Sequence, residues 1–85
     1  MGTKEKLKAR LKSVPKDFTF SELVTLLKLL GYTLNNAGRT SGSTVRFTNE
    51  SKSSDITFHK PHPGNIVKEY IIRQIIDKLK KEELL

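Results

Sequence analysis

The chain has 85 residues, no cysteine and a formal charge of +7 at pH 7. The missing thiol excludes a disulfide framework, a cysteine-based zinc site and a cysteine nucleophile, and the length allows one small core burying roughly 60% of the unfolded surface. The positive charge favours an anionic partner, nucleic acid first, because each phosphate neutralised by Lys or Arg releases counterions.

At the N-terminus the chain is lysine-rich without an apolar segment behind it, and no run approaches a membrane span. A soluble, cytoplasmic protein is expected. Met1-Gly2 resembles the start of a myristoylation signal, but Lys6 stands where that signal needs Ser or Thr. Leu7, Leu11 and Val14 are spaced four and three apart among Lys4, Lys6, Lys8, Arg10 and Lys12, which predicts a short amphipathic helix over 4–14. Its basic residues read as a solvated face before a phosphate contact. Val14-Pro15 ends it.

Thr19 with Glu22 three residues later forms a capping-box signature, and Phe18 can staple against Leu23. The helix that follows carries Phe20, Leu23, Val24, Leu27 and Leu30 as one stripe, widened by Leu26 and Leu29, and stops at Gly31 as a left-handed cap. Tyr32 to Asn36 then alternates weakly as a first strand. A Gly/Ser loop follows, from Ala37 to Ser43.

Two further strands are expected to pair across a polar turn from Asn49 to Ser54. Val45, Phe47, Ile56 and Phe58 would face the core, leaving Thr44, Arg46, Thr57 and His59 on the other face. Asn65 is a candidate cap for a last helix with Ile71, Ile72, Ile75, Ile76 and Leu79 on one face. Glu69 with Arg73 and Asp77 with Lys81 are favourably spaced charge pairs on its other side. The elements sum to an α+β domain with a three-stranded antiparallel sheet, helices on one face and the other face open.

Chemistry is sparse. The two histidines, His59 and His62, are too few for a metal site without a carboxylate, and Asp55 lies four strand residues from His59, roughly 13 Å away. The run Gly38-Arg39-Thr40-Ser41-Gly42-Ser43 lacks the Gly-Lys-Ser/Thr ending of a nucleotide-binding P-loop and no helix follows it. Neither metal nor organic cofactor is expected. His62-Pro63-Gly64 reads first as a turn, yet a histidine can also act as general acid or base in RNA cleavage, where the 2′-hydroxyl is the nucleophile.

The capped helix ending in Gly31-Tyr32, the strand entry Gly42-Ser43-Thr44-Val45-Arg46-Phe47, and His62-Pro63-Gly64 before an isoleucine-rich helix together resemble the HicA family of toxin-antitoxin mRNA interferases. The resemblance covers about Phe18 to Leu79. It implies a double-stranded-RNA-binding-domain-like fold, cleavage of mRNA and a HicB-type antitoxin as protein partner, while the length itself points to a single domain, 1–85. The family's catalytic histidine follows the Gly-Ser pair, and here that position is Thr44, which cannot titrate near neutral pH. Proton transfer then falls to His62, which matches the family segment, or to His59. Arg39, Ser43, Thr44, Arg46, Lys60 and Lys68 are the expected RNA contacts. A non-catalytic RNA-binding module is the alternative reading, and a protein-interaction domain with incidental charge is a third.

Overall fold

The computed structural model describes residues 2–35, 44–60 and 64–85. Three helices and three strands occur in these residues: α1 (Thr3–Lys12), α2 (Phe20–Leu29), β1 (Thr33–Asn35), β2 (Thr44–Asn49), β3 (Ser54–His59) and α3 (Glu69–Lys81). The strands form one antiparallel sheet in the order β1-β2-β3.

The start of α2 has both halves of the expected capping box. The Thr19 hydroxyl accepts from the Glu22 amide at 3.1 Å, and the Glu22 carboxylate accepts from the Thr19 amide at 2.9 Å. At its other end the Tyr32 amide reaches back to the Leu27 carbonyl and the Gly31 amide to that of Lys28, at 2.9 and 3.1 Å. This is the paired closure of a Schellman motif, and Gly31 supplies its positive φ of 102°. Leu23, Leu26 and Leu27 are fully buried, but Leu29, expected to widen the stripe, is 45% exposed. The buried arc of α2 therefore runs through Leu26 and ends short of Leu29.

Asn65 does not cap α3. That helix begins four residues later, after Lys68, without a side-chain cap. Asn65 instead accepts the Phe20 amide on its carbonyl at 2.7 Å, and the Val67 amide donates to the Phe18 carbonyl at 2.8 Å, so the 65–67 segment pairs with the entry to α2. The expected charge pairs Glu69–Arg73 and Asp77–Lys81 are not among the ion pairs of the described residues, which are Arg10–Asp17, Arg10–Glu22 and Arg46–Asp55.

Inside, Val45, Phe47, Ile56 and Phe58 face Leu23, Leu27, Ile72, Ile75 and Leu79 in one hydrophobic cluster, as their alternation predicts. Phe47 stacks on Phe58 at 5.9 Å, and Phe20 meets Phe58 edge-on at 6.2 Å. Leu7 and Leu11 bring α1 into the same cluster. Val14, closing α1, adopts a φ of +50°, a conformation costly for a β-branched residue.

The polar turn has a buried base. Asn49 and Ser54, the facing residues where β2 ends and β3 begins, are each 3% exposed, and a 3-10 helix (Glu50–Lys52) spans them. Asn49 accepts the Lys52 amide on its Oδ1 and turns its Nδ2 toward the Leu30 carbonyl, 3.4 Å away. Ser54 shares a 3.0 Å hydrogen bond with the Tyr32 hydroxyl. Polar composition alone gave no sign of this burial, because the partners lie about twenty residues away in sequence. Burial pushes the Tyr32 phenol up from its ordinary range, against the opposing effect of the Ser54 hydrogen bond.

Candidate nucleic-acid interface

Strand register makes the outer face of the sheet a polar array. Thr33, Thr48 and Asp55 stand in one row across the three strands, and Asn35, Arg46 and Thr57 in the next. Thr44 and His59 form the third row. Successive rows are two residues apart along each strand, or about 7 Å. None of the eight side chains is apolar. The first strand's contribution, Thr33 and Asn35, was readable from its alternation but was not singled out by any motif.

Thr44 and His59 are direct cross-strand partners, so their Cβ atoms are about 5 Å apart. His59 is exposed and Thr44 half-buried. Anything bound over Thr44 therefore lies beside an imidazole. One row away, Arg46 donates to the Asp55 carboxylate diagonally across β2 and β3. Both side chains remain substantially exposed, 55% and 41%. Such surface pairs contribute little to stability, and an incoming phosphate can share or take over the guanidinium. No motif in the sequence signals this contact, because Arg46 and Asp55 meet only through the hairpin register.

Other expected contacts lie elsewhere. Lys60 turns its ammonium toward the Phe20 ring, 5.6 Å from the centroid, on the helix side of the sheet. Lys68 is exposed at the start of α3, beyond the segment that pairs with the entry to α2. The structure thus groups Thr44, Arg46 and His59 on one face and separates Lys60 and Lys68 from it. Arg39, Ser43 and His62 lie outside the described residues. Among the described residues, no three His, Cys, Asp or Glu side chains gather where a metal ion could be held.

Arg10 has a different role from the other α1 cations. Its guanidinium donates to both Glu22 carboxylate oxygens at 3.0 and 3.2 Å and to the Asp17 carboxylate and carbonyl, and lies 5.4 Å over the Phe18 ring. Hydrogen bonding from Arg10, then from the Thr19 amide, holds the Glu22 carboxyl below the usual carboxylate range. Arg10 is thereby committed to docking α1 onto the α2 cap.

Residues 20–81 match the family model described as "HicA toxin of bacterial toxin-antitoxin". This chain belongs to the HicA toxin family. The match begins at Phe20, the first residue of α2, and ends at Lys81, the last of α3, so the HicA-family segment is the α2-β1-β2-β3-α3 unit. α1 lies outside it. No match was found among curated proteins or among solved structures. Membership makes this HicA-family chain one half of a toxin-antitoxin pair, and no helix among its described residues is long and apolar enough to cross a membrane.

Proposed function

We propose that this HicA-family toxin binds mRNA on the outer face of its sheet and cleaves it as a metal-independent endoribonuclease, with His59 moving the proton. The observation that carries this reading is the direct pairing of Thr44 with His59 on the open face. A neighbouring strand thus offers an imidazole beside the position where the family's histidine is expected and where threonine cannot titrate. In the reaction, His59 takes the proton from a ribose 2′-hydroxyl as its oxygen attacks the adjacent phosphorus. The bond to the 5′-oxygen breaks, a proton is returned to that leaving oxygen, and the products are a 2′,3′-cyclic phosphate and a free 5′-hydroxyl. Arg46 neutralises the charge that builds on the phosphoryl oxygens, and the surrounding hydroxyls of Thr44, Thr48 and Thr57 suit ribose and phosphate.

His62 is the second candidate for proton transfer, and Arg39, Ser43, Lys60 and Lys68 are further RNA contacts in this proposal. The reading includes a single domain over 1–85, a fold like that of double-stranded-RNA-binding domains, a cytoplasmic location, and a HicB-type antitoxin that covers the same face. The order helix, three antiparallel strands, helix in the family segment is compatible with that fold. A non-catalytic RNA-binding module is the second reading, favoured by the threonine at position 44.

The deciding experiment incubates purified protein with end-labelled RNA in the presence of a chelator. Cleavage leaving cyclic phosphate ends, and reduced by about 10² to 10⁴ in His59→Ala, is the expected result. Binding without cleavage would establish the second reading, and absence of both would overturn the RNA assignment.

A further inference from the structure

The sheet has two edges of unequal character. Among the described residues β1 on one side covers three, Thr33–Asn35, whereas β3 on the other presents six, Ser54–His59, with no proline and no lysine. Short strands, lysine and proline are the usual means of blocking an edge, and β3 has none of them. Among the described residues, no hydrogen bond outside the ladder to β2 engages the backbone of 54–59. A cavity of about 140 Å³ lies along this strand, lined by the consecutive residues 55–58 and by Ile71, Gln74, Ile75 and Lys78 of α3. Because consecutive strand residues point to opposite faces, a cavity touching all four opens on the strand's edge.

The sequence of β3 is complementary to itself. Antiparallel pairing of two copies centred on Thr57 sets Ile56 opposite Phe58 on the inner side and Asp55 opposite His59 on the outer side. Each pair occurs twice by symmetry, and Thr57 meets Thr57. Apolar residues thus meet apolar residues and a carboxylate meets an imidazole, whereas a slide of one strand by two residues toward its start centres the pairing on Ile56, sets Ser54 opposite Phe58 and Asp55 opposite Thr57, and loses both matches. Such a contact is isologous and closes at two copies.

From the free edge and this complementarity we infer that the chain forms a symmetric dimer through β3, joining the two sheets into one of six strands. The outer faces become continuous. Each His59 gains the Asp55 carboxylate of the other copy, a partner that its own Asp55, four residues along the same strand, cannot supply. The role of that carboxylate in orienting the imidazole rests on the ribonuclease reading, but the pairing does not, and it is tested without RNA.

Sedimentation equilibrium of the full chain should give twice the monomer mass, falling to monomer on dilution. Thr57→Asp places two carboxylates on the symmetry axis while leaving Arg46, its cross-strand neighbour, as a favourable partner within each chain; it should raise the dimer dissociation constant roughly tenfold or more with unchanged circular dichroism. The chain has no cysteine, so Thr57→Cys introduces a single thiol at the axis. Oxidation should convert this variant to a covalent dimer, while Thr33→Cys on the β1 edge should stay monomeric in denaturing gels. A wild type that is monomeric at millimolar concentration, or a dimer that crosslinks through Thr33→Cys and not Thr57→Cys, would overturn the inference. RNA binding or cleavage that fails in a protein still dimeric by these measures would count against the functional reading alone.

Discussion

Thr44 faces His59 across two hydrogen-bonded strands, so a side chain introduced at 44 enters a position already next to an imidazole. Thr44→His should therefore raise cleavage of RNA, by up to the ~10² to 10⁴ that a positioned general base contributes. An unchanged rate in a gel assay would show that the face lacks another catalytic requirement. Arg46 gives a second test at this scale. Arg46→Glu removes the central cation of the face and sets a carboxylate near Asp55, whereas Lys6→Glu alters an exposed residue of α1. Filter binding should show a clear loss for the first and little change for the second. Beneath the face, Gly31 combines a φ of 102° with an added Cβ only 3.2 Å from the Asn49 amide nitrogen. Gly31→Ala should cost about 1 to 2 kcal/mol of stability, read by denaturant unfolding, from the left-handed conformation alone.

At the scale of elements, α1 is attached by Leu7 and Leu11 and by Arg10, which shares Glu22 with the α2 cap. Glu22→Ala should lower the melting temperature more than Thr19→Ala, since the first removes the capping-box return bond and the Arg10 partner together. Loss of the Thr19 cap should cost about 1 kcal/mol. The pattern of apolar residues was enough to locate the three α-helices and three strands of the described residues, because burial follows periodicity. Asn65 misled because an Asn before a helical pattern resembles a cap, while its actual use, a backbone carbonyl accepting from Phe20, depends on a segment some forty-five residues earlier. The Thr44, Arg46 and His59 cluster was legible from strand alternation. The Arg46–Asp55 contact and the Arg10 network were not, for both are fixed by how elements dock. The separation of Lys60 from the sheet face has the same origin, since it depends on where the Phe20 ring sits.

For the whole molecule, the charge of +7 makes ionic strength the simplest probe. RNA affinity should fall steeply as salt is raised, with a slope reduced by about one phosphate contact in Arg46→Glu. Affinity independent of salt would contradict a phosphate-based interface. Stability should also depend on pH at both extremes. Glu22 is held below its unfolded value, so its contribution is present above the usual carboxylate range and disappears as pH falls through the lower folded value. Tyr32 is raised, chiefly by burial, so its contribution is complete below the ordinary phenol value near 10 and is lost as pH climbs through the higher folded value. Thermal melts across pH should show a plateau that declines at both ends, and Tyr32→Phe should flatten the alkaline decline.

The buried Tyr32–Ser54 and Asn49–Leu30 hydrogen bonds fix the hairpin from below, at the end opposite Thr44 and His59. A one-residue slip would carry His59 toward the core and Phe58 into water, and those bonds, with the inward aromatics, oppose it. The eight outward side chains take no part in this anchoring. They form a surface on which substitutions can accumulate without refolding the chain, so exchange of an imidazole for a hydroxyl at position 44 requires no change beneath the sheet. On the proposed reading, in which this face meets RNA and an antitoxin, it can follow a changing target by surface replacements alone.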